Sequence, residues 1–171
     1  MMGKSHLVTG LLAWGVVTQH TDYRVSLVSV VLAGVASLLP DIDHVGSYLG
    51  RRLWFISYPL SPFVSHRGVT HSGLIVLAMI TAAYYFLPEP RTSILANWVA
   101  AGITGYTAHI IGDAMTRSGV PLLWPLKYRL RLPPGIKTGS IGEGATVIGL
   151  FVLTSYLYMD EIFDALSAVY R

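Results

Sequence analysis

The chain has 171 residues, of which 12% are charged and 53% apolar, against roughly 25% charged in an ordinary soluble domain. With a mean hydropathy of +0.55, it is excluded as a disordered chain and argues against a soluble monomer, whose surface so few charges could not cover. The composition fits a single integral membrane domain over residues 1–171. There is no cysteine, which removes disulfides, thiolate metal sites and cysteine nucleophiles. The net charge of +3 reports membrane topology more readily than nucleic-acid binding.

Five apolar stretches follow one another. The first runs from about His6 to Thr18, behind Lys4 and with no small-x-small cleavage site after it, so a retained helix is expected. The second runs from Val25 to Leu39, the third from Val69 to Leu87, the fourth from Ser93 to about Met115 and the fifth from Gly144 to Met159. A full span needs roughly 20 apolar residues. The third and fourth reach that length, and the others are short. None alternates with period two, so a β-barrel is not expected. The predicted fold is an all-α polytopic bundle of about five transmembrane or membrane-embedded helices.

Basic residues orient it. With five spans, Lys4 and two long segments, Asp41 to Gly68 and Thr116 to Glu143, share one side. That side carries nine of the 12 Lys and Arg residues, and Arg24, Arg91 and Arg171 lie opposite. The positive-inside rule then places the N-terminus and both long segments in the cytoplasm of a multi-pass membrane protein. Segments of about 45–66 and 119–142 are aromatic, basic and proline-punctuated, suited to the headgroup region.

The His, Asp and Glu residues took no part in that orientation, yet nine of the 15 fall on the same side near helix ends. His6 begins the first helix. Asp41, Asp43 and His44 follow Pro40, which stops the second. His66 and His71 open the third, and His109 and Asp113, four apart, share one face of the fourth. Glu143 begins the fifth. Imidazole and carboxylate without sulfur suit Zn, Mn or Fe, and several ligands suit two ions. Arg67, between two candidate ligands, has the planar fork that holds a phosphate. Each piece also has a plain structural reading: a membrane histidine bonding a neighbouring helix, Asx turns in Pro-Asp-Ile-Asp, or Glu143 as a favourable acid in a first helical turn. The basic loops can serve as topology determinants and anionic-lipid contacts alone.

Four motifs carry a resemblance: Leu38-Leu39-Pro40-Asp41-Ile42-Asp43-His44, His66-Arg67-Gly68-Val69-Thr70-His71-Ser72, His109-Ile110-Ile111-Gly112-Asp113, and Gly119-Val120-Pro121-Leu122-Leu123-Trp124-Pro125. With Ser5-His6 at the start, nearly the whole chain resembles the YdjM-like family, inner-membrane proteins described as membrane-bound metal-dependent hydrolases. That family is distantly similar to the all-helical zinc phospholipase C and P1 nuclease group, whose trinuclear site also uses a His-x3-Asp pair. Those enzymes are soluble and start from an N-terminal Trp ligand, which this chain lacks.

The resemblance implies phosphoester hydrolysis by metal-activated water at the cytoplasmic leaflet. Two or three divalent ions, Zn first and then Mn or Fe, are expected on His6, Asp41, Asp43, His66, His71, His109 and Asp113. Arg67 would stabilise phosphate charge, and Glu143 would act as ligand or general base. The partners expected are membrane lipids, a lipid or lipid-linked phosphoester substrate, and a second copy of the chain in a homo-oligomer. No nucleic acid is expected. The alternatives are a metal or proton transporter using the same residues, and a structural or partner-binding membrane protein with a metal site.

Overall fold

The computed structural model describes residues 1–61, 68–88, 93–157 and 159. Among these, all regular elements are helical: α1 (Gly3–Gln19), α2 (Leu27–Ala36), α3 (Trp54–Leu60), α4 (Gly73–Phe86), α5 (Ile94–Ala114) and α6 (Ile141–Leu157). Two 3-10 turns, Leu39–Asp43 and Val69–His71, stand before α3 and α4. α5 is the central helix, packed on α1, α2 and α4, and α1 also packs on α2 and α6.

Serines start several of these helices. Ser26 caps α2 by accepting the Ser29 N–H, and the Ser29 side chain answers the Ser26 backbone. Ser93 accepts the Ala96 N–H at 3.3 Å ahead of α5. A side-chain oxygen there satisfies one of the amides that a helix start leaves without a partner.

Two glycines let the central helices touch backbone to backbone. A Cβ on Gly105 of α5 would lie 2.0 Å from the Ala33 carbonyl oxygen of α2, and one on Gly10 of α1 would lie 2.6 Å from Ser37 Cβ. Small residues permit this approach between helices that lipid does not push together. Gly10 is one turn after His6, and Gly105 is one turn before His109. The close crossings therefore set both imidazoles in the narrow space at one end of the bundle.

The other end is closed by apolar packing. Trp14 of α1 is buried with Ala33 of α2 and Ala101 of α5, and its indole N–H donates to Ser29 Oγ at 3.0 Å. The outer faces of α2, α4 and α6 expose large apolar side chains, such as Leu27 at 82% and Phe86 at 85%. Surfaces of that kind are what acyl chains cover.

The structure corrects the expected lengths. α5, with 21 residues, is the one helix among the described residues long and apolar enough to cross a membrane by itself, and α2, α4 and α6 are shorter apolar helices. The third stretch was expected to be helical from Val69. Instead Val69–His71 forms a 3-10 turn and Ser72 is extended at φ −92° and ψ 150°, so α4 begins at Gly73 with 14 residues. The cause is long-range bonding: the Tyr106 hydroxyl donates to the Thr70 carbonyl, and the Thr70 hydroxyl donates to Asp43. α2 is shorter than the second stretch because the Ser26 cap starts it at Leu27 and the chain leaves the helix at Ser37, ahead of the Leu39–Asp43 turn. α3, a helix not foreseen, lies in the 45–66 segment and exposes Trp54, Phe55 and Tyr58.

The 115–140 segment folds back on the end of α5. Ile136 N–H donates to the Met115 carbonyl at 2.9 Å, and Val120 and Leu130 exchange backbone bonds at 3.0 and 2.8 Å. Val120 is buried against Tyr106, Ile110 and Ala114. This closes the polar end of the bundle from one side.

Candidate metal centre

Five ionisable residues from four elements of the chain meet at that end. His6 comes from α1, Asp41 from the first 3-10 turn, His71 from the second, and His109 and Asp113 from the last turns of α5. The three histidines are fully buried, Asp113 nearly so, and the Asp41 side chain is 19% exposed. Ligand atoms of His6, His109 and Asp113 all lie within 4.8 Å of one another, and so do those of Asp41, His71 and His109. His109 belongs to both sets. The spacing of four between His109 and Asp113 does put both on one helix face, as the sequence predicts.

Hydrogen bonds behind the histidines fix their tautomers. His109 Nδ1 lies 2.7 Å from the Ser37 carbonyl oxygen. A carbonyl only accepts, so the proton sits on Nδ1 and leaves a lone pair on Nε2. For His71 the chain is longer. The Thr70 hydroxyl donates its one proton to Asp43 Oδ2 at 2.8 Å, and its oxygen lies 3.1 Å from His71 Nδ1. That oxygen must accept, so His71 Nδ1 also carries a proton. The two Nε2 atoms then face each other at 3.2 Å, with Asp41 Oδ1 3.4 Å from His71 Nε2 and 3.7 Å from His109 Nε2.

Three acceptors converging in a buried space need a positive charge among them. A second proton on His71 supplies one, and a divalent cation supplies another. Burial alone would raise the Asp41 carboxyl. Without a metal, the hydrogen bond with His71 and the positive charge that His109, His6 and His71 carry when protonated outweigh it and lower the group from 3.8 to about 2.

His6 tells the same story from α1. Its ring stacks on His109 with centroids 3.6 Å apart and planes at 14°. Its Nε2 lies 3.2 Å from Asp113 Oδ1, a contact without hydrogen-bond alignment. Among the described residues neither ring nitrogen has a hydrogen-bond partner. A buried imidazole with unused nitrogens beside a carboxylate fits a ligand role better than a packing role. The Met1 amine also contacts Asp113.

The remaining expected residues are placed differently. Asp43 is buried but stands behind His71, reached through Thr70, and belongs to neither set of converging atoms. Glu143 is fully buried at the start of α6. Its two oxygens accept backbone N–H bonds from Met2 at 2.6 Å and Gly139 at 2.8 Å. It ties the start of α1 to the start of α6, and neither set of converging atoms includes it. His44 is exposed. His66 and Arg67 lie outside the described residues.

Sequence reasoning missed Ser37, Thr70 and Tyr106. Each acts through a backbone carbonyl or one hydroxyl, and serine, threonine and tyrosine are too common for composition to single them out. The one available signal was adjacency, since Thr70 precedes His71 and Tyr106 lies one turn before His109.

An apolar helical assembly with buried imidazoles and carboxylates gathered at one end defines a membrane protein with a polar centre at the edge of its bundle. The chain belongs to the YdjM inner membrane protein family, which matches residues 1–165. Inner membrane protein YdjM of Escherichia coli (strain K12) is 48% identical over 121 residues, covering 70% of this chain and 61% of that protein. Inner membrane protein YdjM of Shigella flexneri matches to the same extent. Uncharacterized protein YvsG of Bacillus subtilis (strain 168) is 32% identical over 158 residues, covering 92% of this chain and 94% of its own length. The aligned part thus spans about three fifths of the two YdjM proteins and nearly all of YvsG. No solved structure matches the chain.

Proposed function

We propose that the protein is a membrane-bound metal-dependent hydrolase that cleaves a phosphoester of a lipid or lipid-linked substrate at the cytoplasmic leaflet. The observation that carries this reading is the pair of Nε2 lone pairs held 3.2 Å apart beside Asp41. Ser37 and Thr70 fix both rings in that orientation from behind, the usual arrangement around a metal-binding histidine. A mixed nitrogen and oxygen donor set without sulfur suits Zn, Mn or Fe. In this reading the single free nitrogen of His109, with His71 and Asp41, holds one ion, and His6 and Asp113 stand ready beside a second. When bound, such ions supply Lewis acidity to water and to a phosphoryl oxygen.

The chain's own residues do the rest. Thr70 and Asp43 orient His71, and the Ser37 carbonyl orients His109. Glu143 acts as a positioning residue that keeps α1, and with it His6, at the centre. The burial of His6, His71 and His109 keeps bulk water from competing. Asp41, half in the centre and half toward solvent, is where substrate would arrive. Within the membrane-protein frame, we read the shorter helices as a multi-pass bundle with α5 at its middle. The kinship with the zinc phospholipase C and P1 nuclease group stays part of this proposal and rests on the His-x3-Asp pair alone.

A second reading keeps the second proton on His71 and makes the cluster a proton or metal pathway. Assay of the purified chain in mixed micelles with Zn²⁺ or Mn²⁺ separates the two. The hydrolase reading expects metal-dependent release of phosphate or headgroup from a lipid phosphoester, abolished in His71→Ala. Flux in proteoliposomes with no hydrolysis of any lipid phosphoester would reject it.

A further inference from the structure

We propose that the cleft beside Asp41 binds the phosphate-bearing headgroup of an anionic membrane lipid, with Lys4 and Arg51 as its two anchors. The proposal rests on the hydrolase reading for what happens to the lipid afterwards, and on the cleft alone for the binding.

The cleft measures about 450 Å³ and is lined by Lys4, Asp41, His44, Ser47, Tyr48 and Arg51 among others. That volume suits a headgroup. Lys4 comes from the first turn of α1, two residues before His6. Arg51 comes from the loop that leaves Asp41. Asp41 belongs to the cleft and the metal centre at once, so a group held by the two cations lies next to the ligands.

The charges in the cleft are unequally engaged. The Asp41 carboxylate faces His71 and His109. Neither Lys4 nor Arg51 has a carboxylate partner among the described residues. Arg52, the next residue, is used otherwise: its guanidinium lies 3.9 Å over the Tyr48 ring and donates to the Tyr48 carbonyl at 3.0 Å. Arg52 thus braces the wall that Tyr48 forms, while Arg51 is left to face the cleft. Ser47 fixes the loop, donating to the Asp41 carbonyl at 2.7 Å and accepting the Gly50 N–H at 2.8 Å. Two cations that line one cleft without a carboxylate partner among the described residues, Lys4 on α1 and Arg51 on a braced loop, make a site for a group with negative charge.

Two features favour a lipid over a soluble phosphate. α3 follows Arg51 and Arg52 directly and exposes Trp54, Phe55 and Tyr58, the aromatic profile of a segment at headgroup depth. Met1 borders both the cleft and a second pocket of about 270 Å³, whose walls include Leu12, Ile111, Leu150 and Leu153. An acyl chain has an apolar place to lie beside the charged one.

The test uses the full chain in detergent, loaded with zinc, and mixed micelles containing phosphatidic acid or phosphatidylcholine. Three proteins are compared: the wild type, Lys4→Gln/Arg51→Gln, and Arg24→Gln/Arg117→Gln, which removes the same charge from exposed positions outside the cleft. Metal content and melting are followed for each. The wild type is expected to prefer phosphatidic acid, and the cleft variant to lose about tenfold of that preference while keeping its metal. The control pair should keep the preference within about twofold, and Arg51→Lys should retain most of it, which covers a double variant that fails to fold. Unchanged preference in a folded cleft variant, or equal loss in the control pair, would overturn the proposal. Displacement of the lipid by inorganic phosphate at equal concentration would also overturn it, assigning the cleft to a soluble anion. Lipid preference in a wild-type protein that takes up no metal would sink the hydrolase reading and leave this one standing. Bound metal without lipid preference would do the reverse.

Discussion

α1, α2 and α5 run between two ends that solve the same packing problem in different ways. At one end the gap between the helices is filled by a single ring, Trp14, whose one polar atom is met by Ser29 at 3.0 Å. At the other, beyond Gly10 and Gly105, it is filled by three imidazoles with Asp41 and Asp113 around them. The Trp14 end has no more polar atoms than packing can satisfy. The His109 end has an excess, arranged with lone pairs pointing inward and donors pointing outward. Ionisable groups are costly near a bilayer, so a cluster with that polarity is not explained by packing, which the first end shows can be done with one tryptophan.

Four changes would break or sharpen this contrast. Gly105→Leu should have the largest effect and spoil both ends together, because a Cβ there would meet the Ala33 carbonyl at 2.0 Å. Loss of folded protein by size-exclusion chromatography is the expected outcome, and a well-folded, metal-loaded variant would contradict the close crossing. Trp14→Ala should act at its own end, lowering stability by about 3–5 kcal/mol, with metal content per folded chain unchanged. Thermal unfolding with parallel metal analysis checks both halves of that statement.

Thr70→Val should do the opposite, leaving the fold in place while weakening metal affinity by about 10–100-fold, as loss of an outer-shell partner does. Competition with a chelator reads this directly. The smallest effect belongs to Asp41. Its carboxyl is lowered from 3.8 to about 2 in the folded chain, so the stability it contributes is full above the ordinary value and is lost as pH falls through the lowered one. Metal-free Asp41→Asn should therefore show a flatter melting curve against pH between about 4 and 2 than the wild type. Parallel curves would remove Asp41 from the cluster's electrostatics.

Much of the polar end was legible in the sequence, and for a physical reason. The Lys and Arg pattern led to the expectation that these helix ends share a side, and a spacing of four put His109 and Asp113 on one face; the structure brings His6, Asp41, His71, His109 and Asp113 together. Local chain geometry was less visible. Nothing in the apolar run from Val69 marks the extended Ser72 that delays α4, because the Tyr106 and Thr70 bonds that hold the turn are long-range. The same holds for Glu143, whose first-turn position fitted a ligand, a base or a helix-dipole partner equally. Only the fold shows it gripping the backbone of Met2 and Gly139. Asp43 is the instructive case: residue type and spacing made it equivalent to Asp41, and a single intervening hydroxyl, Thr70, sets it behind the centre.

The central claim is that the polar end holds divalent metal, and elemental analysis of the purified chain tests it most directly. Wild type is compared with His109→Ala/Asp113→Ala, both shown to be folded by circular dichroism. At least about one zinc, manganese or iron ion per wild-type chain is expected, with only background in the variant. Equal, near-zero metal in both proteins would contradict it.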